Sequence, residues 1–228
     1  MTRARFERIK TMLDRRQTSL TVIADYLHKS HNIAAIARSC DAFGVHRFHI
    51  TRGETQFRKR HRTAGGSLQW LDLRLHDKVE DAIGLAQAQG MKVYAAHLSD
   101  RAVDYRQVDY TVPCAILMGN EKDGVRGAAI DMADEHIVVP MEGMVESFNV
   151  SVACALILGE ARNQRTDAGM YDGPRQIPDD EYHTLLFRWM LPKMARYCDD
   201  RGIPYPELDE DGDILNPSEW YASIRQQE

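Results

Sequence analysis

The chain has 228 residues, enough for one full core with appendages, and its 43% apolar and 28% charged content is that of a soluble globular protein. No apolar run reaches the length of a membrane span, and the opening MTRARFERIK has no apolar leader core, so a cytoplasmic protein without a membrane partner is expected. The net charge of -5 conceals two basic segments: residues 1–16 carry six basic side chains against two acidic, and residues 52–62 carry five against one, whereas residues 199–213 hold seven acids and one arginine. Whole-chain charge speaks against nucleic acid, but this segregation leaves an RNA partner open. Cys40, Cys114, Cys154 and Cys198 lie far apart in apolar or helical contexts, which reads as buried free thiols and no metal site.

Residues 3–16 form a basic amphipathic pattern with Phe6, Ile9, Met12 and Leu13 as its apolar stripe. Leu20–Ile23 reads as a strand. The polar loop 28–32 then leads into a helix over Ile33–Phe43, closed by Gly44. Val45–Ile50 is a second strand, followed by the basic segment and the glycine pair Gly65–Gly66. Trp70–Leu75 is strand-like, Asp77–Gln89 helical with Gly90 at its end, and Val93–His97 and Cys114–Met118 are strands. The run Ile137–Val139 is stopped by Pro140. After a polar loop, Val150, Ala153, Cys154, Ile157, Leu158 and Ala161 mark one face of a helix. Strands alternating with helices predict an α/β domain with parallel pairing over residues 18–168, preceded by a basic N-terminal helix (1–17). Residues 169–228 form a C-terminal helical extension and acidic tail: a helix over Asp179–Cys198 broken near Pro192, then an irregular end.

Three segments carry chemical signal. In HNIAAIAR, Asn32 is placed to cap a helix, with Arg38 nearly two turns along it; alone, these read as a capping amide and a surface arginine. In LMGNEKDG, Gly119 ends an apolar strand and lets backbone pass close to a ligand. In VPMEGMVESFNV, Val139, Met141 and Phe148 offer apolar walls, and Ser147 and Asn149 stand where a cap belongs. An apolar slot with a few convergent polar groups suits a nucleoside-like cofactor. No GxGxxG follows a strand and no GxxxxGK[ST], HExxH or GxSxG occurs, so dinucleotide, P-loop, zinc-protease and hydrolase readings have no motif.

In this order and spacing, HNIAAIARSCDAFG, LMGNEKDG and VPMEGMVESFNVSVA resemble the three motifs of the SPOUT class, within it the SpoU/TrmH family of ribose 2'-O-methyltransferases. The likeness runs through nearly all of residues 5–171. The basic N-terminal helix and a C-terminal extension containing GIPYP resemble the members that methylate guanosine 18 in the D-loop of tRNA. The resemblance implies a parallel-sheet SPOUT fold with a deep C-terminal trefoil knot, S-adenosyl-L-methionine as cofactor, tRNA as partner and a homodimer as active unit. Action on ribosomal RNA or another tRNA position, or a silent paralogue that binds RNA or cofactor, are the alternatives.

Carried over by motif, Arg38 matches the catalytic arginine and Asn32 the asparagine beside it; Glu121, Ser147 and Asn149 match the other polar motif residues. Ala96, Leu98, Met118, Gly119, Val139, Met141 and Phe148 match positions around the cofactor. Arg8 and Arg165 match arginines tied to tRNA contact or catalysis. Arg15, Arg16, Arg58, Lys59, Arg60 and Arg62 are further phosphate-binding candidates from the basic segments. Phe148 replaces the usual leucine, and Asn163 stands where relatives often have a second arginine. A guanidinium stays protonated at any physiological pH, so Arg38 is suited to hold a phosphate and stabilise a developing alkoxide; family accounts make it the general base.

Overall fold

The computed structural model describes residues 2–51, 68–120 and 123–225. Arg58, Lys59, Arg60, Arg62 and Glu121 lie outside them. The chain divides into two compact units, residues 17–173 and the terminal segments 1–16 with 174–228.

The first unit is built on a parallel sheet whose order is β3-β2-β1-β6-β4-β7-β5. Its strands are β1 (Gln17–Ala24), β2 (Val45–Thr51), β3 (Asp72–His76), β4 (Lys92–Ala96), β5 (Val103–Asp104), β6 (Cys114–Met118) and β7 (Glu135–Val138). Among the described residues four helices cover it: α2 (Ser30–Ala42), α3 (Val79–Ala88), α4 (Ala128–Met132) and α5 (Val150–Asp167), the label α1 being kept for Arg3–Asp14 in the other unit. The period-two alternation of buried strands assigns the faces. Leu20, Val22, Ala24, Ile116 and Met118 pack with Ile33, Ile36 and Cys40 of α2 and with Cys154, Ile157, Leu158 and Ala161 of α5. Ile23, Val93, Ala95, Ala115 and Leu117 pack with Val79, Ala82, Ile83 and Ala86 of α3 and Ala129 of α4. Both faces of the sheet are therefore covered, as parallel sheets require.

Chain order and sheet order diverge in one consequential way. After β1 to β3 run outward, β6 enters between β1 and β4, and β7 between β4 and β5. The loops that follow these inserted strands meet at the C-terminal edge of the sheet, where ligands of open α/β sheets gather. The expected strands and long helices are present. The two-residue β5 and five-residue α4 are too short to register in periodicity. Gly44 and Gly90 follow α2 and α3 with φ of 77° and 75°, the left-handed geometry that ends a helix.

In the terminal unit, α1 packs on α6 (Asp179–Met190), and the Arg5 guanidinium donates to the Trp189 carbonyl at 3.1 Å. Pro192 opens α7 (Pro192–Arg201), so the expected break separates two helices. The C-terminal end is not irregular as expected. Leu208 and Ile214 form an antiparallel bridge, and Pro217–Arg225 is a helix, α8, anchored by buried Ile224. Its nine residues carry one buried apolar position, which is too weak a period to read from sequence.

Candidate functional site

The C-terminal ends of β4, β6 and β7 and the loop from Val139 to Asn149 enclose a cavity of about 450 Å³. Ala96, Leu98, Met118, Gly119, Val139, Met141 and Phe148, the seven residues expected around a cofactor, all line it, and so do Ser147 and Asn149. The volume falls within the roughly 300–1,000 Å³ of small-molecule sites. Lys29, His97, Asn120 and Glu146 also line the cavity and were not singled out from sequence. Only their position after a strand end or before a helix marked them.

Gly119 has a steric reason. A Cβ there would lie 2.0 Å from the Gly124 carbonyl carbon and 2.1 Å from the Val125 nitrogen, far inside contact distance. Asn120 and Gly124 exchange backbone hydrogen bonds at 3.1 Å, and the Asn120 side chain accepts from the Asp123 amide at 2.8 Å. The loop after β6 thus doubles back on Gly119, leaving backbone rather than side chain at the cavity wall.

A polar cluster holds the wall formed by residues 96–98. The His97 amide donates to the Ile137 carbonyl at 3.1 Å. Behind it, buried His136 pairs through Nδ1 with Ser99 Oγ at 2.8 Å, and the Arg101 guanidinium lies 2.7 Å from its Nε2. The His97 and His136 rings meet edge to face at 5.2 Å. Burial, then His136 and Arg101, hold the His97 pKa below the usual imidazole value, which favours the neutral ring.

Asn149 is the N-cap of α5: its Oδ1 accepts from the Ser151 amide at 2.9 Å and from the Ser151 hydroxyl at 2.6 Å. Its Nδ2 donates to Asn32 Oδ1 at 3.3 Å. Asn32 is therefore not the cap that its position before the apolar run suggested. Helix α2 begins two residues earlier, its N-cap is Lys29, and Asn32 is buried in the first turn on the same face as Ile36 and Cys40. Arg38 lies six residues on, roughly 9 Å along the axis and about 120° around it. It is exposed and, among the described residues, is not part of the cavity lining of its own chain.

Two RNA-contact candidates are corrected. Arg165 is fully buried, and its guanidinium is committed to the protein. It donates to the carbonyls of Tyr110 at 2.8 Å, Ser19 at 2.9 Å and Val112 at 3.1 Å, to Ser19 Oγ at 2.9 Å and to Gln17 Oε1 at 3.1 Å. It fastens α5 to the beginning of β1 and to the segment before β6, and presents no charge to a phosphate. Arg16 is likewise buried, with its guanidinium carbon 5.9 Å from the centre of the Trp189 ring. Arg8 and Arg15 are exposed. The four cysteines are free and buried, as expected.

With the geometry in place, the chain can be set beside known proteins. Residues 19–159 match the model of the SpoU rRNA Methylase family, and residues 163–217 match that of the SpoU rRNA methylase C-terminal region. A tRNA (guanosine(18)-2'-O)-methyltransferase of Escherichia coli K12 is 43% identical over 226 residues, which span 99% of each chain. The crystal structure of the A. aeolicus TrmH/SpoU tRNA modifying enzyme superposes with a TM-score of 0.75 at 35% identity, covering 82% of this chain and 94% of that one. An AdoMet-bound rRNA methyltransferase from Sinorhizobium meliloti gives a TM-score of 0.58 at 29% identity, covering 68% and 59%. A parallel sheet with two inserted strands, a glycine-walled cavity at their ends and matches across both regions identify the chain as a member of the SpoU rRNA methylase family.

Proposed function

We propose that the protein transfers a methyl group from S-adenosyl-L-methionine to the ribose 2'-hydroxyl of guanosine 18 in the D-loop of tRNA. The observation that carries this reading is the cavity that gathers all seven expected cofactor positions around the backbone of Gly119. The end-to-end likeness to an E. coli enzyme of that name supports the tRNA position over ribosomal RNA. The donor set fits the cofactor. The apolar walls of Val139, Met141 and Phe148 suit an adenine face and a thioether chain, and the backbone around Gly119 suits its polar edges. Bound there, S-adenosyl-L-methionine supplies an electrophilic methyl on a sulfonium.

The residues of this chain then bind, align and stabilise charge. The Asn149–Asn32 bridge sets the start of α5 against α2 and so the mouth of the cavity. The exposed guanidinium of Arg38 holds an RNA phosphate and stabilises the negative charge that develops on the 2'-oxygen as that oxygen attacks the methyl carbon and gives up its proton to solvent. Alignment of hydroxyl and methyl provides much of the remaining rate. Glu121, from its motif position, is assigned to loop geometry.

The active unit in this reading is a cytoplasmic homodimer in which Arg38 serves the partner's cavity. Two observations support it: Arg38 does not line its own chain's cavity, and apolar side chains stand in solvent beside that cavity. Met144 is 100% exposed and Leu98 71%, with Val145, Phe148, Val152 and Leu156 near them in the sequence or on α5. The insertion of β6 and β7 between earlier strands supports a trefoil knot around the cavity loops. Arg8 and Arg15 of the N-terminal segment, with Arg58, Lys59, Arg60 and Arg62, supply phosphate contacts.

Radiolabelled methyl transfer to a tRNA transcript tests the activity. Arg38→Ala is expected to abolish transfer while calorimetry still detects cofactor binding. Retained turnover in that variant would remove Arg38 from the chemistry.

A further inference from the structure

We propose that the cleft between α7 and α8 is a nucleotide-binding subsite that takes one unstacked nucleotide of the substrate tRNA. The assignment rests on the reading of the protein as a tRNA methyltransferase. The cleft has a volume of about 440 Å³ and is lined by Lys193, Met194, Tyr197, Tyr221, Ile224 and Arg225. Sequence spacing builds it. Lys193, Tyr197 and Arg201 recur every four residues on α7, and Tyr221 and Arg225 are four apart on α8, so each helix turns a tyrosine and a cation to the same side. Ile224, 7% exposed, closes the floor.

The chemistry of the lining selects the occupant. Its apolar part is two tyrosines, a methionine and an isoleucine, which accept the face of a planar ring. Among the described residues its charged part is two cations and no acid, in a chain of net charge -5 whose neighbouring residues 199–213 carry seven acids. The Arg201 guanidinium lies 4.0 Å over the Tyr197 ring, covering one face of it and adding positive charge beside the cleft. Aromatic rings that stack a base with cations beside them for its phosphate are the recurring design of single-stranded RNA sites. The resemblance implies that the terminal segments help bind tRNA, but no residue of either helix was named for it, because the composition of the tail as a whole is acidic.

The test uses the full-length protein and a tRNA transcript. Wild-type protein is cross-linked to 4-thiouridine-substituted tRNA, and the attached peptides are identified by mass spectrometry. Adducts within residues 193–201 or 217–225 are expected; their absence from both helices overturns the proposal. Tyr221→Ala is expected to weaken tRNA binding about 5- to 150-fold, the loss of one base–aromatic stack, with Tyr221→Trp restoring it. Lys193→Gln should lower the slope of log affinity on log salt by about 0.7 to 1. Unchanged tRNA affinity in Tyr221→Ala, or a change only in the protein's mass in solution, overturns the proposal, the latter by making the cleft a protein interface. Methyl transfer by the wild-type protein is scored separately. Its absence would sink the assigned activity, while the cross-link and the Tyr221 variants still decide the subsite.

Discussion

Asn149 and Asn32, 117 residues apart, share a hydrogen bond of 3.3 Å, and through it the first turn of α5 is tied to the first turn of α2. The side-chain oxygen and nitrogen of Asn149 divide the work. Asn149 Oδ1 caps its own helix, and Asn149 Nδ2 reaches across to Asn32. Capping and bridging are therefore separable. Asn149→Ala removes both and should cost about 1 kcal/mol of stability from the cap alone. Asn149→Asp keeps an acceptor for the Ser151 amide but has no N–H for Asn32. It should melt within a few degrees of wild type while kcat falls about 10- to 100-fold through misplacement of the cavity mouth. Thermal melts alongside single-turnover transfer separate the two roles; equal losses of stability in both variants would merge them.

Gly119 and Arg38 belong to different halves of the proposed dimeric site, which complementation can expose. Gly119→Ala places a Cβ against backbone 2.0 Å away and should eliminate cofactor binding; Arg38→Ala should eliminate transfer only. Each variant alone is expected to be inactive. Co-expressed, the pair should recover about a quarter of wild-type turnover, since half of a random mixture of symmetric dimers are mixed and each mixed dimer holds one intact site. No recovery at all would place Arg38 at the cavity of its own chain.

Arg165 replaces a surface expectation with an interior one. Its five hydrogen bonds to oxygen lie in the protein, so Arg165→Met should destabilise by several kcal/mol, on the order of 3–5, as polar groups of β1 and of the segment before β6 lose their partner. Urea denaturation should show the fall in midpoint, and the tRNA affinity of the folded fraction should be unchanged. A loss of affinity without a loss of stability would return Arg165 to the RNA.

The sequence carried the signal for Arg165, but in the wrong category. Val150, Cys154, Ile157, Leu158 and Ala161 define the buried face of α5, and Arg165 is the next residue four positions on. Arg16 lies two residues beyond the end of α1, so no helical phase marks its burial. Charge made both look like surface residues, whereas helical phase puts Arg165 inside. The same phase separates Asn32, in step with Ile36 and Cys40, from exposed Arg38. Strands β1, β4 and β6 were legible because a doubly covered parallel sheet is apolar throughout. The order of the sheet was not, because nothing local encodes that β6 and β7 enter between earlier strands. The cavity walls were legible only through motif resemblance. His97 and Lys29 reach the cavity from backbone positions that no spacing rule marks.

His49 makes the fold sensitive to acid. Burial, then His76 and Arg47, push its pKa from 6.5 down to about 3, and its Nδ1 lies 2.8 Å from His76 Nε2. The native imidazole stays neutral while the unfolded chain protonates near pH 6.5. Its contribution is thus fully present above pH 6.5 and is lost as pH falls toward 3, at up to about 1.4 kcal/mol per pH unit. His76, lowered chiefly by its own burial, acts in the same direction. Urea midpoints measured from pH 7.5 to 4.5 should fall, and His49→Leu should flatten that fall. An unchanged slope in the variant would assign the acid sensitivity elsewhere.

The central claim is the site of methylation, and mapping the product tests it most directly. A tRNA transcript incubated with the protein and S-adenosyl-L-methionine, digested and analysed by mass spectrometry, should gain one methyl group, on the ribose of guanosine 18. A methyl group at another nucleotide or on a base, or no methyl group at all, would contradict the account.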